Sequence, residues 1–380
     1  MTQILITGGA GFIGSHLARN LLSGNHCLRI LDPLAPQIHG NVLHDLDWLS
    51  GENIEFVRGS VTDRRSVEVA LEGVEHVVHL AAETGTGQSM YEIARYNEVN
   101  SQGTAVLLDV LANRQDLSVR RIVLASSRSV YGEGAYICPA CGDAVGRLFP
   151  GARPSSQLAE YNWEPLCPHC GGALSAVPTR EDDPVSPASI YAATKYAQED
   201  LVRVACEALG IGYAVLRLQN VYGEGQSLKN PYTGILSIFS TRIRRGLDLP
   251  IFEDGMESRD FVHVDDVVGA IQACLFSDSP INRVVNVGSG VGTSVIDVAR
   301  QLVASLDGSV PLRVTSEYRI GDIRHNVADV TRLCELLPGG ARVGLVEGLN
   351  RFASWVKTQP LPEDQLERAN SELRERNLMA

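Results

Sequence analysis

The stretch Thr7-Gly8-Gly9-Ala10-Gly11-Phe12-Ile13-Gly14 decides the fold of this 380-residue chain. It directly follows a short apolar run, QILIT, and it opens an apolar-periodic segment that predicts a helix from about Phe12 to Ser23. Glycines at these spacings permit a tight turn, a close approach of the backbone to a pyrophosphate, and close packing of the helix. We therefore expect a dinucleotide to contact the residues Gly8, Gly11, Phe12, Ile13 and Gly14.

Short apolar strands continue to alternate with helical segments after this turn, at residues 27–31, 54–57, 76–80, 122–125 and 214–218. The alternation predicts the α/β class, with a parallel, doubly wound sheet of the Rossmann type. We expect a cofactor-binding domain over residues 1–221, interrupted by an insertion over residues 133–178. A smaller substrate lobe should follow over residues 222–361, with some return to the Rossmann core. Residues 362–380 space Leu366, Ala369 and Leu373 along one side of a charged helix, which we expect to be solvated or to face a partner.

The overall charge limits the classes of partner. The formal net charge is -12 and the pI is near 5.3, which disfavours binding to a nucleic-acid backbone. The first residues, MTQILITGG, lack the basic flank and apolar core of a signal peptide, and no 18-residue apolar run occurs. We expect a cytoplasmic protein with neither a nucleic acid nor a membrane as a partner.

An acidic residue, Asp32, ends the second expected strand about twenty positions after the glycines. Its carboxylate would accept hydrogen bonds from the adenosine ribose and would repel a 2′-phosphate, so the expected cofactor is NAD rather than NADP. Asp63, in the stretch GSVTD, would suit the adenine edge, although a helix N-cap is an equally good explanation.

Tyr191 and Lys195 are four residues apart, so they share one face of a helix. A tyrosine has a reference pKa of about 10, and its phenolate must be favoured by roughly 4 kcal/mol to act as a base near neutrality. The ammonium of Lys195 supplies positive charge of the required sign. Ser127, after an expected strand, offers a hydroxyl for the reacting oxygen. These three residues form the predicted catalytic set.

Nine features, in order along the chain, cover nearly its whole length: TGGAGFIG, Asp32, HLAAETGTGQS, YNEVNSQGT, SSRSVYG, YAATK, RLQNVYGEGQS, SRDFVHVDD and GDIRH. They resemble the extended short-chain dehydrogenase/reductase family, and within it the nucleotide-sugar epimerases and dehydratases. The resemblance implies bound NAD, a nucleotide-sugar substrate and a homodimer formed through the helices that carry Asn100 and Tyr191. It implies cofactor contacts at Leu80, Ala81, Ala82, Asn100, Tyr191 and Lys195, and substrate contacts at Thr84, Ser129, Asn220, Arg259 and Arg324. For the two arginines the alternative is an ion pair with a neighbouring carboxylate.

The two positions before VYG narrow the reaction. The 4,6-dehydratases of the family carry an acidic pair there, which supplies an acid and a base for the elimination of water, whereas this chain has Arg128 and Ser129. The resemblance therefore favours a 4-epimerase, which oxidises C4 to a transient 4-keto sugar and returns hydride to the opposite face. A decarboxylase stays open because Arg128 could bind a carboxylate. A 4-ketoreductase would more naturally use NADPH, against which Asp32 argues.

Two CPxCG motifs interrupt the chain between Ser127 and Tyr191 and supply the cysteines Cys138, Cys141, Cys167 and Cys170. Four thiolates suit a structural, tetrahedral zinc ion in a zinc-ribbon-like loop, and iron in a rubredoxin-like site is the alternative. Such a site would stiffen the long insertion into a wall or lid beside the sugar, or it would form a distal feature or a dimer contact. We expect the other cysteines to be buried thiols: Cys27, Cys206, Cys274 and Cys334.

The insertion, taken with SSRSVYGEG, EPLCPHCG and GDIRH, resembles the proteins of the family that are similar to dTDP-L-rhamnose 4-epimerases, which implies a dTDP-6-deoxyhexose substrate. A non-catalytic, NAD-sensing regulator is the alternative from another class. It is disfavoured because the chain keeps Tyr191 and Lys195, and because only two arginines, Arg147 and Arg153, lie between the cysteine pairs.

Overall fold

The computed structural model describes residues 2–39, 44–230 and 234–380 of the chain. Its strands, numbered in chain order, are β1 (Gln3–Thr7), β2 (Cys27–Asp32), β3 (Ile54–Arg58), β4 (His76–His79), β5 (Arg121–Ser127), β6 (Tyr136–Ile137), β7 (Ser175–Ala176), β8 (Gly212–Leu218), β9 (Asn220–Tyr222), β10 (Leu249–Ile251), β11 (Ser258–His263), β12 (Arg283–Val287), β13 (Gly292–Ser294), β14 (Leu312–Val314) and β15 (His325–Asn326).

The central sheet has seven strands in the order β3-β2-β1-β4-β5-β8-β12. Every neighbouring pair in it is parallel. The direction of chain progression reverses between β1 and β4, and ligands of such sheets bind in the crevice outside the carboxyl ends at the reversal. The predicted doubly wound parallel sheet is confirmed. Its last strand, β12, comes from the C-terminal half of the chain.

The α-helices are α1 (Phe12–Ser23), α2 (Pro36–His39), α3 (Arg64–Leu71), α4 (Thr86–Ser89), α5 (Ile93–Tyr96), α6 (Gly103–Asn113), α7 (Ser155–Ala159), α8 (Ile190–Leu209), α9 (Ile235–Arg244), α10 (Val264–Leu275), α11 (Val295–Ser305), α12 (Thr331–Leu336), α13 (Leu345–Thr358) and α14 (Leu366–Arg374). A π-helical turn, Asn97–Gln102, joins α5 to α6. Within the described ranges, none of these helices has the length and apolarity needed to cross a membrane.

Helices cover both faces of the central sheet. Ile4 and Ile6 of β1 pack with α1 and α10 on one face, whereas Leu5 packs with α3, α6 and α8 on the other. Successive side chains of a strand point to opposite faces, so a continuous apolar strand feeds both layers.

The smaller lobe has its own sheet and core. Strand β11 pairs with β9, β13 and β15, and β10 pairs with β14. Helices α9, α11 and α13 contribute Phe239, Leu302 and Phe352 to a core that also includes Tyr222 and Phe261. Strand β9 follows directly after β8 of the central sheet, so the two sheets are joined at residue 219.

The insertion closes on a narrow stem. Strands β6 and β7 pair antiparallel, and the Val177 amide donates a hydrogen bond to the Ala135 carbonyl at 2.9 Å. Its own small core contains Tyr136, Cys138, Cys167 and Leu174. The two ends of the insertion therefore lie side by side, and the chain leaves and rejoins the domain at one place.

The terminal segment packs against the rest of the chain. Leu366, Ala369 and Leu373 of α14 are only 4–6% exposed. Tyr318 exchanges two backbone hydrogen bonds with Ala380, at 2.7 and 3.0 Å. The prediction of a solvated or partner-facing helix is wrong, because its apolar stripe is buried within the same chain.

The scattered cysteines divide into two groups. Cys206 and Cys274 are buried, as predicted, whereas Cys27 is partly exposed and Cys334 is exposed. The prediction of buried thiols is therefore wrong for Cys334, which lies in the short helix α12 on the outside of β12.

Candidate active site

The glycine-rich turn joins β1 to α1 beside the end of β4. Gly8 has a φ of +69°, and a Cβ at this position would lie 2.8 Å from the Ala81 amide nitrogen. A Cβ on Gly14 would lie 2.6 Å from the Cα of Gly9. Side chains are therefore excluded where the turn meets Ala81 and where α1 meets the turn. The N-terminus of α1, which attracts anions, consequently lies at the crevice.

The carboxylate of Asp32 is fixed at the end of β2 and is 5% exposed. It accepts hydrogen bonds from the Ala10 amide at 3.1 Å and from the Leu34 amide at 2.8 Å. A carboxylate has about four acceptor positions, so two remain for a pair of ribose hydroxyls. The glycine turn and this carboxylate thus fit the adenosine diphosphate half of NAD.

Asp63 lies at the N-cap of α3, where its side chain accepts a hydrogen bond from the Ser66 amide at 3.1 Å. This is the capping alternative that the sequence offered. A contact between Asp63 and the adenine stays a prediction.

Asn100 joins the loop after β4 to the helix of the catalytic pair. Fully buried in the π-helical turn, it donates to the Thr194 hydroxyl at 3.0 Å and accepts from the Glu83 amide at 2.8 Å. Thr194 immediately precedes Lys195. The side chain of Asn100 therefore positions its neighbours, and its predicted contact with the cofactor stays a prediction, as do those of Leu80, Ala81 and Ala82 in the same loop.

Ser127, Tyr191 and Lys195 converge at the carboxyl end of β5. Ser127 ends this strand, and the other two lie in the first two turns of α8. The ammonium of Lys195 donates to the Ala125 carbonyl of β5 at 2.9 Å. The hydroxyl of Ser127 accepts a hydrogen bond from the Ser129 hydroxyl at 3.0 Å. The structure thus brings together the three residues of the predicted catalytic set.

Burial and charge oppose each other at the catalytic tyrosine. Burial raises the pKa of Tyr191, whereas a hydrogen bond with Ser127 and the charge of Arg128 lower it. Burial also lowers the pKa of Lys195 to about 7, because an ammonium is costly away from water. Ser127 and Arg128 are therefore the groups of the chain that shift Tyr191 toward its phenolate form.

A cluster of guanidinium groups lies next to this site, around the carboxylate of Asp322. Arg259 donates to Asp322 at 3.3 Å. Burial, together with the charge of Arg259, lowers the pKa of Arg128 to about 9. Although burial alone would raise it, the charges of Arg259, Arg319 and Arg153 hold the pKa of Asp322 below its usual value. The cluster of Arg128, Arg259 and Arg319 around Asp322 is hereafter called the arginine cluster.

The arginine cluster has more positive than negative charge. Burial raises the pKa of the nearby Glu257 to about 7, so this acid adds only part of a negative charge at neutrality. Among the described residues, Nη1 of Arg128 and Nε of Arg319 are buried and have no hydrogen-bond partner. Buried donors are normally satisfied, so the two free donors indicate an anion site.

Arg324 lies outside the arginine cluster. Its side chain is 1% exposed, and it donates to Glu164 at 2.7 Å, to Glu253 at 2.9 Å and to Asp254 at 2.7 Å. Every nitrogen of its guanidinium is engaged by a carboxylate. The predicted substrate contact at Arg324 is therefore corrected to its alternative, a set of ion pairs.

The other predicted substrate residues line the same crevice edge. Asn220 begins β9 directly after the sheet strand β8, and its Oδ1 is buried without a partner in the described part of the chain. Ser129 is 6% exposed beside Ser127, and the Thr84 carbonyl accepts a hydrogen bond from Tyr96 at 2.7 Å. A free amide oxygen at Asn220 leaves it able to meet a ligand.

A model of the NAD dependent epimerase/dehydratase family matches residues 4–150 and 169–288. The chain belongs to this family. The unmatched residues between the two segments lie in the insertion, which is therefore an addition to the family's common fold.

Individual relatives align along nearly the whole length of this epimerase/dehydratase family member. A dTDP-L-rhamnose 4-epimerase of Burkholderia thailandensis is 38% identical over 358 residues, which cover 93% of this chain and 94% of the relative. The UDP-glucose 4-epimerase of Thermotoga maritima, solved with UDP-glucose, superposes with a TM-score of 0.73 at 29% identity, over 94% of this chain and 99% of that one. MoeE5, solved with UDP-glucuronic acid and NAD, gives a TM-score of 0.71 at 27% identity, over 93% and 99%.

The four cysteines of the insertion in this family member form one thiol cluster. Their Sγ atoms lie within 4.8 Å of one another, with Cys138 at 3.5 Å from Cys170 and Cys141 at 3.9 Å from Cys167. Tetrahedral zinc with Zn–S bonds of about 2.3 Å requires sulfurs about 3.8 Å apart, whereas a disulfide requires about 2 Å. The spacing fits a four-thiolate metal site.

The two knuckles of the cluster repeat one backbone geometry. Gly142 donates to the Cys138 carbonyl and Gly171 to the Cys167 carbonyl, both at 2.9 Å. The two glycines have φ values of +58° and +73°, which only glycine adopts at little cost. The repeated CPxCG sequence is thus explained as a repeated ligand-bearing turn.

Sequence reasoning missed two residues of the arginine cluster. Arg319 and Asp322 lie in the segment RIGDIRH, which contains two arginines, and the sequence alone gave no reason to prefer the first. Only the folded chain shows that the carboxylates Glu164, Glu253 and Asp254 engage Arg324 and leave Arg319 facing Asp322.

Proposed function

We propose that this chain is an NAD-dependent nucleotide-sugar 4-epimerase that acts on a dTDP-6-deoxyhexose. One observation carries the proposal: the site brings Tyr191, Ser127 and Lys195 together, while the two positions at which a dehydratase needs acids hold Arg128 and Ser129. Inversion at C4 requires one residue that removes and returns a proton, which is what this set provides. The names of the relatives support the choice of dTDP and of a 6-deoxy sugar.

The residues of the chain divide the work. Tyr191 takes the proton of the C4 hydroxyl, and Ser127 holds the same oxygen by a hydrogen bond. NAD, when bound, accepts hydride from C4 and returns it. Lys195 favours the phenolate of Tyr191 by its charge, and Tyr191 gives the proton back at the end. The same tyrosine thus serves both half-reactions, and no second acid is needed.

The arginine cluster, with Asn220, is proposed to bind the diphosphate of the substrate. Arg259 and Arg319 offer donors on one side of Asp322, and a guanidinium matches phosphate oxygens in a bidentate manner. The negative charges of a diphosphate would balance the excess positive charge of the cluster. The proposed site therefore keeps Arg259, replaces Arg324 by Arg319, and leaves the ring of the sugar to face Tyr191. Thr84 and Ser129 are proposed to contact that ring.

The test is incubation of the purified protein in D₂O with dTDP-L-rhamnose, UDP-glucose and UDP-glucuronic acid, without added cofactor, followed by proton NMR. The expected product is a C4-inverted sugar without deuterium, because hydride returns from a bound cofactor. Deuterium at C3, C5 or C6 would show that the 4-keto sugar undergoes further chemistry and would refute the proposal. Tyr191→Phe in the same mixture should leave the substrates unchanged.

Decarboxylation of a uronic acid nucleotide is the second candidate, because the free Nη1 of Arg128 next to Tyr191 could bind a carboxylate. The UDP-glucuronic acid sample of the same experiment distinguishes it. Loss of the carboxyl carbon, measured as a pentose product, would favour the decarboxylase over the epimerase.

The thiol cluster is proposed to hold one structural zinc ion. All four positions of a tetrahedral ion are filled by Cys138, Cys141, Cys167 and Cys170, so the site leaves no place for a substrate. Elemental analysis of the protein as isolated should find about one zinc per chain, and Cys206→Ser, a buried thiol elsewhere, should keep it. Iron at that stoichiometry, or no metal, would contradict the proposal.

We also propose a homodimer formed through α6 and α8. Leu201, Val204 and Leu209 of α8 are 37%, 56% and 38% exposed, and they follow one side of the helix next to α6. Light scattering should give twice the chain mass, and Val204→Arg should give the mass of a single chain. The cytoplasmic location and the lack of nucleic-acid and membrane partners stay predictions.

A further inference from the structure

Four buried residues connect the insertion to the smaller lobe. The guanidinium of Arg153, in the insertion, makes a bidentate pair with Glu253 of the lobe at 2.8 and 2.9 Å. Arg153 and Glu253 have side chains that are 2% and 3% exposed. From the other direction, Glu133 of the insertion accepts from the Arg324 amide at 2.8 Å. These contacts are made away from water, where charged hydrogen bonds are strong but costly to leave unmade.

The contacts converge on residues 318–326, hereafter called the RIGDIRH segment. Arg153 donates to the Asp322 carbonyl at 3.0 Å. Glu164 accepts from the Arg324 side chain at 2.7 Å and contacts the ring of His325 at 3.1 Å. The ring of Trp163 lies 6.1 Å from that of Tyr318. The insertion therefore holds this segment at its start, in its middle and near its end.

The RIGDIRH segment carries half of the arginine cluster. Arg319 and Asp322 belong to it, and β15 at its end pairs with β11 at Ser258 and Arg259. His325 also bonds the Ser258 hydroxyl at 2.8 Å, one residue before Arg259. The geometry of the anion site thus depends on where the segment is held.

Each knuckle of the thiol cluster leads to one of these anchors. Tyr136, next to the first knuckle, donates to Glu133 at 3.1 Å and packs 6.4 Å from the His325 ring. Glu164 precedes the second knuckle, whose hairpin is closed by the Leu174 amide donating to the Pro165 carbonyl at 2.8 Å. A metal held by both knuckles would fix the two anchors relative to each other.

We propose that the insertion is a positioning device for the anion site, in which Arg153 and Glu164 hold the RIGDIRH segment so that Arg259 and Arg319 face one ligand. This inference rests on the proposed function for the identity of that ligand, a nucleotide diphosphate. Arg153 and Glu164 are positioning residues, because they act through the segment and bind no substrate themselves. Their loss should weaken binding of the diphosphate and leave the chemistry at Tyr191 unchanged.

The test compares Glu164→Gln with the wild type. Glu164 has a side chain that is 32% exposed, and glutamine keeps its shape, so the fold should persist. Hydrogen exchange of the peptide covering residues 318–326 should become about tenfold faster. The Kd for dTDP, measured by calorimetry, should rise about tenfold, with kcat within about twofold and the NAD content unchanged.

Two further variants keep the result interpretable. Arg153→Lys keeps the charge but loses the bidentate geometry, and it should have the same effect. Cys170→Ala removes one exposed member of the thiol cluster and should also accelerate exchange of residues 318–326. Arg147→Met is the matched control, because Arg147 lies in the same insertion but pairs with Asp183 at the stem; it should behave as the wild type.

Unchanged exchange of residues 318–326 in both Glu164→Gln and Arg153→Lys would overturn the inference. Faster exchange with an unchanged Kd for dTDP would overturn it as well, because the segment would then not control the anion site. A wild-type protein that binds neither dTDP nor UDP would refute the proposed function, while a response of the exchange in the variants would still support the positioning of the segment.

Discussion

Replacing Tyr191 by phenylalanine tests the assignment of the acid–base residue most directly. The change removes only the hydroxyl. The ring keeps its edge contact with Tyr96, at 6.5 Å between centroids, and the amide of residue 191 keeps its hydrogen bond to the Ser89 hydroxyl at 3.1 Å. We therefore expect the thermal midpoint to stay within about 2 °C of the wild type, since no buried contact of appreciable size is lost.

The loss of catalysis should be large. Proton transfer by a positioned side chain contributes about 10²–10⁴ to the rate, which corresponds to about 3–5 kcal/mol of barrier. Because Tyr191 is the single acid–base residue of the proposed mechanism, we expect kcat to fall by this factor while KM changes by less than about threefold.

The assay is conversion of the nucleotide sugar followed by NMR, with the NAD content of each preparation measured after denaturation. Tyr213→Phe serves as the control, because it removes a phenol hydroxyl that bonds Glu207 at 3.1 Å on β8, away from the site. If Tyr191→Phe keeps more than about a tenth of wild-type turnover with full NAD content, another group moves the proton and the mechanism fails.

Three further predictions follow from the same geometry. Ser127→Ala should raise the pKa of Tyr191, because the Ser127 hydrogen bond lowers it; the acid limb of the pH–kcat profile should therefore move to higher pH, and an unshifted limb would contradict the assigned role. Arg319→Met should raise KM about tenfold or more with little change in stability, whereas Arg324→Met should cost about 3–5 kcal/mol of unfolding free energy because it leaves buried carboxylates without a partner; chemical denaturation and steady-state kinetics would distinguish them, and the reverse pattern would restore Arg324 as the ligand contact. Asp32→Asn should lower the NAD retained after gel filtration to below about half of the wild-type amount, since an amide offers fewer acceptors to the ribose; retention at the wild-type level would place the ribose elsewhere.

The local signals of the sequence predicted much of the fold. The glycine turn and Asp32 are governed by neighbouring residues, so strand, turn and helix could be located before the structure was known. Tyr191 and Lys195 share a helix face by spacing alone, and the same is true of the repeated CPxCG turns. In each case the deciding interactions lie within a few residues of the motif.

The arginines could not be assigned in this way. Arg319 and Arg324 are five residues apart in a segment without regular structure between Arg319 and Arg324, and their partners come from residues 133–164 and 253–254. Which of them faces a ligand depends on contacts between parts of the chain that are distant in sequence. The terminal helix was misjudged for the same reason, because an apolar stripe indicates burial but does not name the surface that covers it.

The narrow stem of the insertion has an evolutionary consequence. Because the chain leaves and re-enters the domain at adjacent residues, a gene could acquire this module without disturbing the central sheet. Removal is a different matter, since deletion of residues 133–178 would strand the buried charges of Glu253 and Arg324, a penalty of several kcal/mol unless both were replaced in the same step. Acquisition is thus a single event, whereas reversal requires coordinated changes at three separate sites, so descent in this lineage is expected to run in one direction.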